Sequence, residues 1–251
     1  MQPPKPSLRL KSRRAKSGLQ PSKRIEAFIP SSQLFLAWSI PLSFLKFLSE
    51  IASKRDIGPL PAFGEIHVLE AIELLGSEGP IGRVKLSKRL NLGEGSVRTI
   101  LKHLRLAGLV EGGREGYTLT KKGRKIYNSI HEALSGPVEI PQNSLAFGRF
   151  NVAYLVRKAW KGVRYGLEQR DAAIRVGGSG AVTLIYREGR LTIPGAREEY
   201  SREIASVEKR ISESFTLEEG DVVIIGAGGS RREAELAAKA AALETLRRLE
   251  G

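Results

Sequence analysis

The residues at positions 95–102 combine hydrogen-bond donors with positive charge at helical spacing. They include Gly95, Ser96, Arg98, Thr99 and Lys102. Side chains three or four residues apart share one face of a helix, so these residues would form one polar stripe. An arginine can donate two hydrogen bonds to guanine O6 and N7, and Ser, Thr and Lys can donate to base edges or phosphates. The glycine at the start of the stripe lets the backbone approach a ligand closely.

Two more groups of cations flank this stripe. Arg114 lies in the Gly-rich segment 112–116, where the tip of a hairpin would carry it into an adjacent minor groove. Four cations cluster at the start of the next segment: Lys121, Lys122, Arg124 and Lys125. Positive charges are disfavoured at the N-terminus of a helix, so this cluster indicates an external anion such as a phosphate.

Apolar residues at helical and strand periods predict the elements that hold these groups. Val97, Leu101 and Leu104 form the inward stripe of one helix. Residues 61–135 are predicted to contain three helices, a hairpin and a fourth helix with Thr120 as its N-cap. These elements are helices Glu65–Leu75, Arg83–Leu90 and Gly95–Ala107, strands Leu109–Glu111 and Tyr117–Leu119, and helix Lys121–Leu134.

This order of elements resembles the winged helix-turn-helix fold of prokaryotic transcriptional regulators. The residues that carry the resemblance are LGEGSVRTILKHLRLAGLV at 92–110 and EGGREGYTLTKKGRKI at 111–126. In that fold the second helix of the motif enters the major groove of DNA, which implies the same role for Gly95–Ala107. Some winged helices bind RNA or protein instead, and this alternative stays open.

The net charge also favours a polyanionic partner. The chain has 41 Lys and Arg residues against 27 Asp and Glu residues, a formal charge of +14. Residues 1–33 hold eight of these cations and a single acid, with Pro and Ser between them and no apolar periodicity. We interpret residues 1–33 as a disordered basic arm that is attracted to phosphates, with a merely solvated tail as the alternative.

An apolar run at 34–48 follows the arm. A membrane span needs about 20 apolar residues, so this run is too short and we expect no membrane partner. Within residues 34–60 the spacing predicts one amphipathic helix, at about 41–54. Its apolar positions are Leu42, Leu45, Leu48, Ile51 and Ala52. This face would pack on the next domain or on a second copy of the chain, and we expect a homodimer.

The remainder of the chain is predicted to be a linker, residues 136–143, followed by an α/β domain, residues 144–251. The fold class is therefore a two-domain α+β / α/β arrangement. The predicted elements are a strand within Leu145–Val156, helix Lys158–Glu168, strand Ala172–Val176, a hairpin of Ala181–Tyr186 and Arg190–Ile193, helix Glu198–Phe215, strand Asp221–Ile225 and helix Arg231–Leu249. The block GLEQRDAAIRVGGSGAVTLIYREGRLTIPG at 166–195 resembles the C-terminal domain of an uncharacterised archaeal family that carries winged helices, which implies no established activity.

Two Gly-rich loops in this half make a candidate site for an anionic small-molecule effector. A Gly-rich loop between a strand and a helix can bind phosphates through its backbone N–H groups. Arg231 stands where the last Gly of the dinucleotide fingerprint belongs, which favours a structural turn as the alternative. The residues that would share the cleft are Gln169, Arg170, Asp171, Gly177, Gly178, Gly180, Gly226, Gly228, Gly229 and Ser230.

The composition gives little support to catalysis or metal binding. The chain has no Cys and three His residues, which excludes disulfides, Cys-ligated zinc and thiol catalysis. We expect no metal and no cofactor.

Taken together, these patterns and resemblances predict a cytoplasmic, archaeal, sequence-specific transcriptional regulator that binds double-stranded DNA. We expect that it is not an enzyme and that it has a ligand-sensing or oligomerisation domain. The alternatives are an enzyme that acts on a phosphorylated small molecule and an RNA- or protein-binding module.

Overall fold

The apolar repeats in the first half of the chain bury one face of each helix. In a computed structural model, which describes residues 42–53, 62–142, 145, 147–196 and 201–249, this half contains helices and a short antiparallel hairpin. The elements are α1 (Ser43–Ser53), α2 (Glu65–Glu78), α3 (Arg83–Leu90), α4 (Glu94–Leu106), β1 (Val110–Gly113), β2 (Gly116–Leu119) and α5 (Lys121–Ala133). The order helix, helix, helix, hairpin, helix that the sequence predicts for 61–135 is therefore the order that the structure has.

Helix α5 begins where the sequence places its cap. The Thr120 side chain accepts a hydrogen bond from the Gly123 backbone N–H at 3.1 Å, which satisfies one of the free donors of the first turn. The Thr120 hydroxyl also donates to the Gly108 carbonyl at 2.7 Å. The cap therefore ties the start of α5 to the end of α4.

Helix α1 packs on its own chain. Phe44, Leu45, Leu48 and Ile51 are buried in one core that also contains residues of α2, α4 and α5. The predicted amphipathic helix is thus present, and of the two alternatives for its apolar face, packing on the next domain or on a second copy, the structure has the first. Residues 34–41 and the basic arm lie outside the described residues. None of the helices in the described ranges combines the length and the apolar content that crossing a membrane requires.

The described residues of the second half form a five-stranded sheet with helices on both faces. Its elements are β3 (Leu134–Glu139), β4 (Phe150–Val156), a single 3₁₀ turn (Trp160–Gly162), α6 (Leu167–Arg175), β5 (Gly180–Arg187), β6 (Arg190–Thr192), α7 (Ser201–Ser214), β7 (Val222–Gly228) and α8 (Arg231–Arg247). The strand order is β3-β4-β7-β5-β6, and all neighbouring strands are antiparallel. The molecule is therefore of the α+β class, which corrects the α/β prediction for this half.

Alternating side chains divide the sheet between two cores. Val222 and Ile224 of β7 face α8 and share a continuous core with the helices of the first half. Val223 and Ile225 face the other way, into a second core that contains residues of α7. All described residues belong to one compact unit, Ile40–Gly251.

Three predicted elements are wrong in this half. Residues 158–166 are not the predicted helix. Lys158 has a left-handed backbone with φ 50°, a single 3₁₀ turn follows at Trp160–Gly162, and α6 begins only at Leu167. Residues 172–175 end the helix α6 rather than forming a strand, since the small Ala172 and Ala173 are buried against neighbouring elements. The predicted linker 136–143 begins inside strand β3.

Candidate nucleic-acid interface

Helix α4 turns its cationic stripe away from the core. Val97, Leu101 and Leu104 are buried, whereas Arg98 and Lys102 are exposed on the other side of the same helix. The structure thus places two of the predicted base-contacting residues one helical turn apart on an open face. Arg105 continues the same exposed stripe.

The other predicted residues of the stripe differ in what they offer. Gly95 is exposed, and a side chain built there would meet open space. Ser96 and Thr99 are half-buried, and the Thr99 hydroxyl donates a hydrogen bond to the Gly95 carbonyl at 3.1 Å. Because its one proton is used inside the helix, Thr99 presents only acceptor lone pairs to a nucleic acid.

A tight turn fixes α4 relative to α3. Asn91 ends α3 with a left-handed backbone, φ 52°, a conformation that Asn tolerates better than most residues. The Ser87 hydroxyl donates across the turn to the Leu92 carbonyl at 2.6 Å. The Arg83 side chain lies 3.5 Å from the Glu94 carboxylate and joins the first turns of the two helices.

Helix α1 supports α4 from the buried side. The Nδ1 atom of His103 lies 3.1 Å from the Ile51 carbonyl, and the His103 side chain is buried. This histidine therefore packs between helices. Within the described ranges no three His, Cys, Asp or Glu side chains come together in a way that could hold a metal ion.

The hairpin carries Arg114 at its exposed tip. Two backbone hydrogen bonds of 2.9 and 3.0 Å join Tyr117 of β2 to Ile81, just before α3. Gly116 has φ 134°, and a Cβ atom there would lie 2.5 Å from the Ile81 carbonyl carbon. Glycine is therefore required at this close approach, and the contact fixes the hairpin, and with it Arg114, beside the helices.

The four cations of the predicted phosphate cluster have different roles. Lys121 and Lys125 are exposed. Lys122 donates to the Ala107 carbonyl at 2.9 Å, at the end of α4, and lies 5.1 Å from the centre of the Phe47 ring. Arg124 donates to the Gly76 carbonyl at 2.7 Å, near the end of α2. Two of the four cations therefore donate to backbone carbonyls of the protein itself. Their presence at the start of α5 does not require a bound phosphate.

The predicted anion loop is instead a close contact between β7 and α8. A Cβ atom on Gly226 would lie 2.3 Å from the Ala238 backbone nitrogen, and one on Gly228 would lie 2.6 Å from the Ala234 nitrogen. Both glycines belong to β7. They lack side chains because the helix backbone lies directly on the strand.

The start of α8 also satisfies its own donors. Ser230 accepts a hydrogen bond from the Glu233 N–H at 3.2 Å, and the Glu233 carboxylate accepts one from the Gly229 N–H at 2.9 Å. A phosphate would have to displace both acceptors. These contacts agree with the alternative interpretation of the loop as a structural turn, and not with a phosphate-binding loop.

The rest of the predicted ligand site does not form an open cleft with these glycines. A Cβ atom on Gly178 would lie 2.5 Å from the Ala237 Cβ atom, so this loop also packs on α8. Gln169 is buried and its amide donates to the Gly162 carbonyl at 3.2 Å. Arg170 and Asp171 are exposed and pair with each other at 3.2 Å. Gly177, in the turn after α6, and Gly180, the first residue of β5, both have positive φ.

Sequence reasoning missed a cluster of charges between α2 and α8. The α2–α8 charge cluster consists of Glu70, Glu73, Arg232, Glu235 and Lys239. Lys239 is buried, and its Nζ atom lies 3.1, 2.9 and 3.1 Å from the carboxylates of Glu70, Glu73 and Glu235. Arg232 donates to both Glu70 oxygens at 2.5 Å. In the sequence, Glu70 and Glu73 look like ordinary solvated positions of a helix.

The cluster favours the charged forms of Glu70 and Lys239. Burial alone would raise the pKa of Glu70, but hydrogen bonds and positive charge from Arg232 and Lys239 outweigh burial and lower that pKa below 4.5. Burial alone would lower the pKa of Lys239, but the surrounding carboxylates, Glu73 foremost, raise it. The two halves of the molecule are therefore joined by ions, not by neutral hydrogen bonds.

Two family models match the chain. One, a domain of unknown function (DUF4443), matches residues 147–246, and the other, the PH0730-like N-terminal domain, matches residues 68–125. Among solved structures the chain is similar to the hypothetical protein PH0730 from Pyrococcus horikoshii OT3, with 28% sequence identity and a TM-score of 0.55 over 72% of this chain and 97% of that chain. No curated protein matches it. These matches fit an uncharacterised archaeal family.

Proposed function

We propose that this chain is a sequence-specific DNA-binding regulator of transcription. The observation that carries the proposal is the open stripe of α4, on which Arg98 and Lys102 are exposed while the opposite face of the helix is buried. The α2–α5 helices and the hairpin follow one another in the winged helix-turn-helix order, and we propose that fold for residues 65–133.

In this proposal α4 lies in the major groove. Arg98 pairs with guanine O6 and N7, and Lys102, one turn later, donates to a neighbouring base or phosphate. Gly95, in the first turn of the helix, carries no side chain, and a Cβ atom there would meet open space, so the backbone can approach the groove closely at this residue. Sequence preference would therefore depend on Arg98 more than on any other side chain of the stripe.

Affinity in this proposal comes mainly from phosphate contacts. Lys121 and Lys125 are exposed at the start of α5, and Arg114 is exposed at the tip of the hairpin. The basic arm, residues 1–33, adds eight Lys and Arg residues. Each phosphate that such cations neutralise releases counterions, so binding would weaken steeply as salt rises.

The C-terminal sheet would serve as the sensing or assembly domain. The α2–α8 charge cluster and the shared core connect it to the proposed DNA-binding helices without a flexible linker. An anionic effector or a second copy bound to the sheet could thus shift α4. Regulators of this class usually bind two half-sites as dimers, and a dimer here would use a surface other than the covered apolar face of α1.

Substitution of Arg98 tests the proposal. Selection of preferred duplexes from a random pool, followed by fluorescence anisotropy on single-base variants, measures sequence preference for the full chain and for Arg98→Ala. We expect Arg98→Ala to lose about 1–3 kcal/mol of discrimination at one base position. Arg105→Ala, which removes the same charge from the last turn of the same helix, is the matched control and should weaken binding evenly across sequences.

The alternatives have separate outcomes in this experiment. An unchanged sequence preference in Arg98→Ala would show that α4 does not read bases. Salt-dependent binding that favours structured RNA over every duplex in the pool would indicate an RNA-binding module instead of a transcriptional regulator.

A further inference from the structure

The C-terminal half exposes several large apolar side chains. Of the large apolar residues that are most exposed in the described part of the chain, five lie in this half: Phe147, Phe150, Tyr165, Leu167 and Ile174. The Tyr165 ring is 56% exposed and the Phe147 ring 49%. Rings so exposed contribute little to the fold, and a group of exposed aromatic residues indicates a binding surface.

Arginines accompany these rings. The guanidinium of Arg149 lies 5.7 Å from the centre of the Phe150 ring, and that of Arg164 lies 5.4 Å from the centre of the Tyr165 ring. Arg149, Arg164 and Arg170 are all exposed. Asp171 pairs with Arg170 at the surface, where such a pair is weak, so the surface stays cationic overall.

Two of the rings pack against glycines. A Cβ atom on Gly195 would lie 2.7 Å from a ring atom of Tyr165, and one on Gly180 would lie 3.3 Å from a ring atom of Phe147. Both glycines have positive φ, 72° and 144°. Each ring therefore lies in space that a side chain at its glycine would enter.

A groove lies beside β5, next to the Tyr165 ring. It has a volume of about 570 Å³ and is lined by Tyr165, Arg170 and Thr183 among others. Tyr165 lies next to Gly166, which contacts Thr183, whereas Phe147 and Arg170 meet at Gly180. Gly180 and Thr183 are three positions apart on β5, which corresponds to about 10 Å. Tyr165 therefore lines the groove, and Phe147 lies next to it beside Arg170.

The edge of β5 beside this groove has no partner strand among the described residues. Strand β6 pairs only with Ile185–Arg187, and nothing pairs with the outer edge of residues 180–184. Thr183 and Leu184 are nevertheless buried, so the side chains and not the strand backbone face a ligand. The groove therefore offers an exposed aromatic ring and positive charge side by side.

We propose that this β5 groove binds single-stranded nucleic acid. Unpaired bases stack on Tyr165 and Phe147, and the phosphates contact Arg164, Arg170 and Arg149. A base inside a duplex has both faces covered by its neighbours and cannot stack on these rings, so the surface selects unpaired strands. This site goes beyond the proposed duplex-binding function, because it lies on other elements than α4 and uses other residues.

Direct binding measurements test the proposal. Anisotropy of fluorescent oligothymidylate and oligouridylate is measured with the full chain, with Tyr165→Ala and with Arg187→Ala. Arg187 is the matched control, since it lies 4.8 Å from the Trp160 ring at the opposite end of β5. We expect Tyr165→Ala to weaken binding of single strands about 10-fold or more, with Arg187→Ala close to the unaltered chain. The thermal midpoint of each variant shows that it is folded.

The two oligonucleotides and α4 separate the remaining possibilities. Preference between oligothymidylate and oligouridylate identifies DNA or RNA as the strand bound. Arg98→Ala should reduce duplex binding and leave binding of single strands unchanged, so failure of the duplex proposal does not imply failure of this one. Equal binding of single strands by Tyr165→Ala and the unaltered chain would overturn the proposal. So would absence of binding together with self-association that Tyr165→Ala abolishes, because the surface would then join copies of the chain.

Discussion

Arg232 of α8 and Glu70 of α2, 162 residues apart in the chain, form a two-point ion pair. Each terminal nitrogen of the guanidinium donates to a different carboxylate oxygen at 2.5 Å. Glu70 is buried, and Lys239 donates to the same carboxylate. The pair therefore joins the N-terminal helices to helix α8 through a buried carboxylate.

Removing Arg232 should destabilise the chain strongly, because the buried carboxylate of Glu70 would keep Lys239 but lose the positive charge and the hydrogen bonds of Arg232. We expect Arg232→Ala to lower the free energy of unfolding by about 3 kcal/mol. Arg231→Ala is the control, because Arg231 pairs with Glu139 on the surface, where both side chains are about 60% exposed. This control should lose less than about 1 kcal/mol. Urea denaturation measures both, and equal losses would contradict a special role for Arg232.

Stability should depend on pH through Glu70. Its folded-state pKa is below its ordinary value of 4.5, so its contribution is complete above 4.5 and disappears as pH falls through the folded-state pKa. Glu70→Gln should therefore be less stable than the unaltered chain at neutral pH, and the difference should shrink in acid. Thermal unfolding between neutral pH and the acid range measures the difference, which stays constant if Glu70 has the same pKa in both states.

The elements of the N-terminal half can be predicted from residues that are close together in the sequence. The inward residues Val97, Leu101 and Leu104 define α4, and Thr120 marks the start of α5. These signals act between residues close in the chain, so periodicity and capping detect them. The exposed cationic stripe could be predicted for the same reason. Once the apolar residues identify the buried face of a helix, the residues on its exposed face are known as well.

The C-terminal half depends on contacts that no local pattern shows. Pro137 and Gly136 suggested a linker, yet they lie in edge strand β3 at a register shift between Ser135 and Val138, where an edge strand tolerates Pro. Gly226 suggested a phosphate loop because the nearness of Ala238 cannot be read from the chain. The α2–α8 charge cluster was missed because its partners are far apart in sequence.

Adding one methyl group at Gly226 should disrupt the contact of β7 with α8. A Cβ atom there would lie 2.3 Å from the Ala238 backbone nitrogen, so Gly226→Ala should lower stability by about 1–3 kcal/mol or more. Gly64→Ala is the control, since a side chain there would meet nothing within 4 Å. Differential scanning calorimetry compares their thermal midpoints. A Gly226→Ala chain as stable as the control would contradict the close packing.

Neighbouring cations on α5 should separate stability from the proposed DNA binding. Arg124→Ala loses the hydrogen bond to the Gly76 carbonyl and should cost about 1 kcal/mol of stability. Lys125→Ala should leave the thermal midpoint unchanged, weaken duplex binding, and reduce the slope of log affinity against log salt by about 1. Anisotropy over a salt series, with thermal melts of both variants, measures these effects. A stability loss in Lys125→Ala together with a binding loss in Arg124→Ala would contradict these roles.

Helix α5 ends at Ala133 and strand β3 begins at Leu134, with no spacer between them. The Arg157 N–H, just beyond the paired strand β4, donates to the Ala133 carbonyl at 2.9 Å and braces this joint. Because no flexible residue separates α5 from β3, a rotation of the sheet would turn helix α5 with it. Fragments cut near this joint would lose an edge strand or expose an apolar helix end, so the two halves should melt together in one transition.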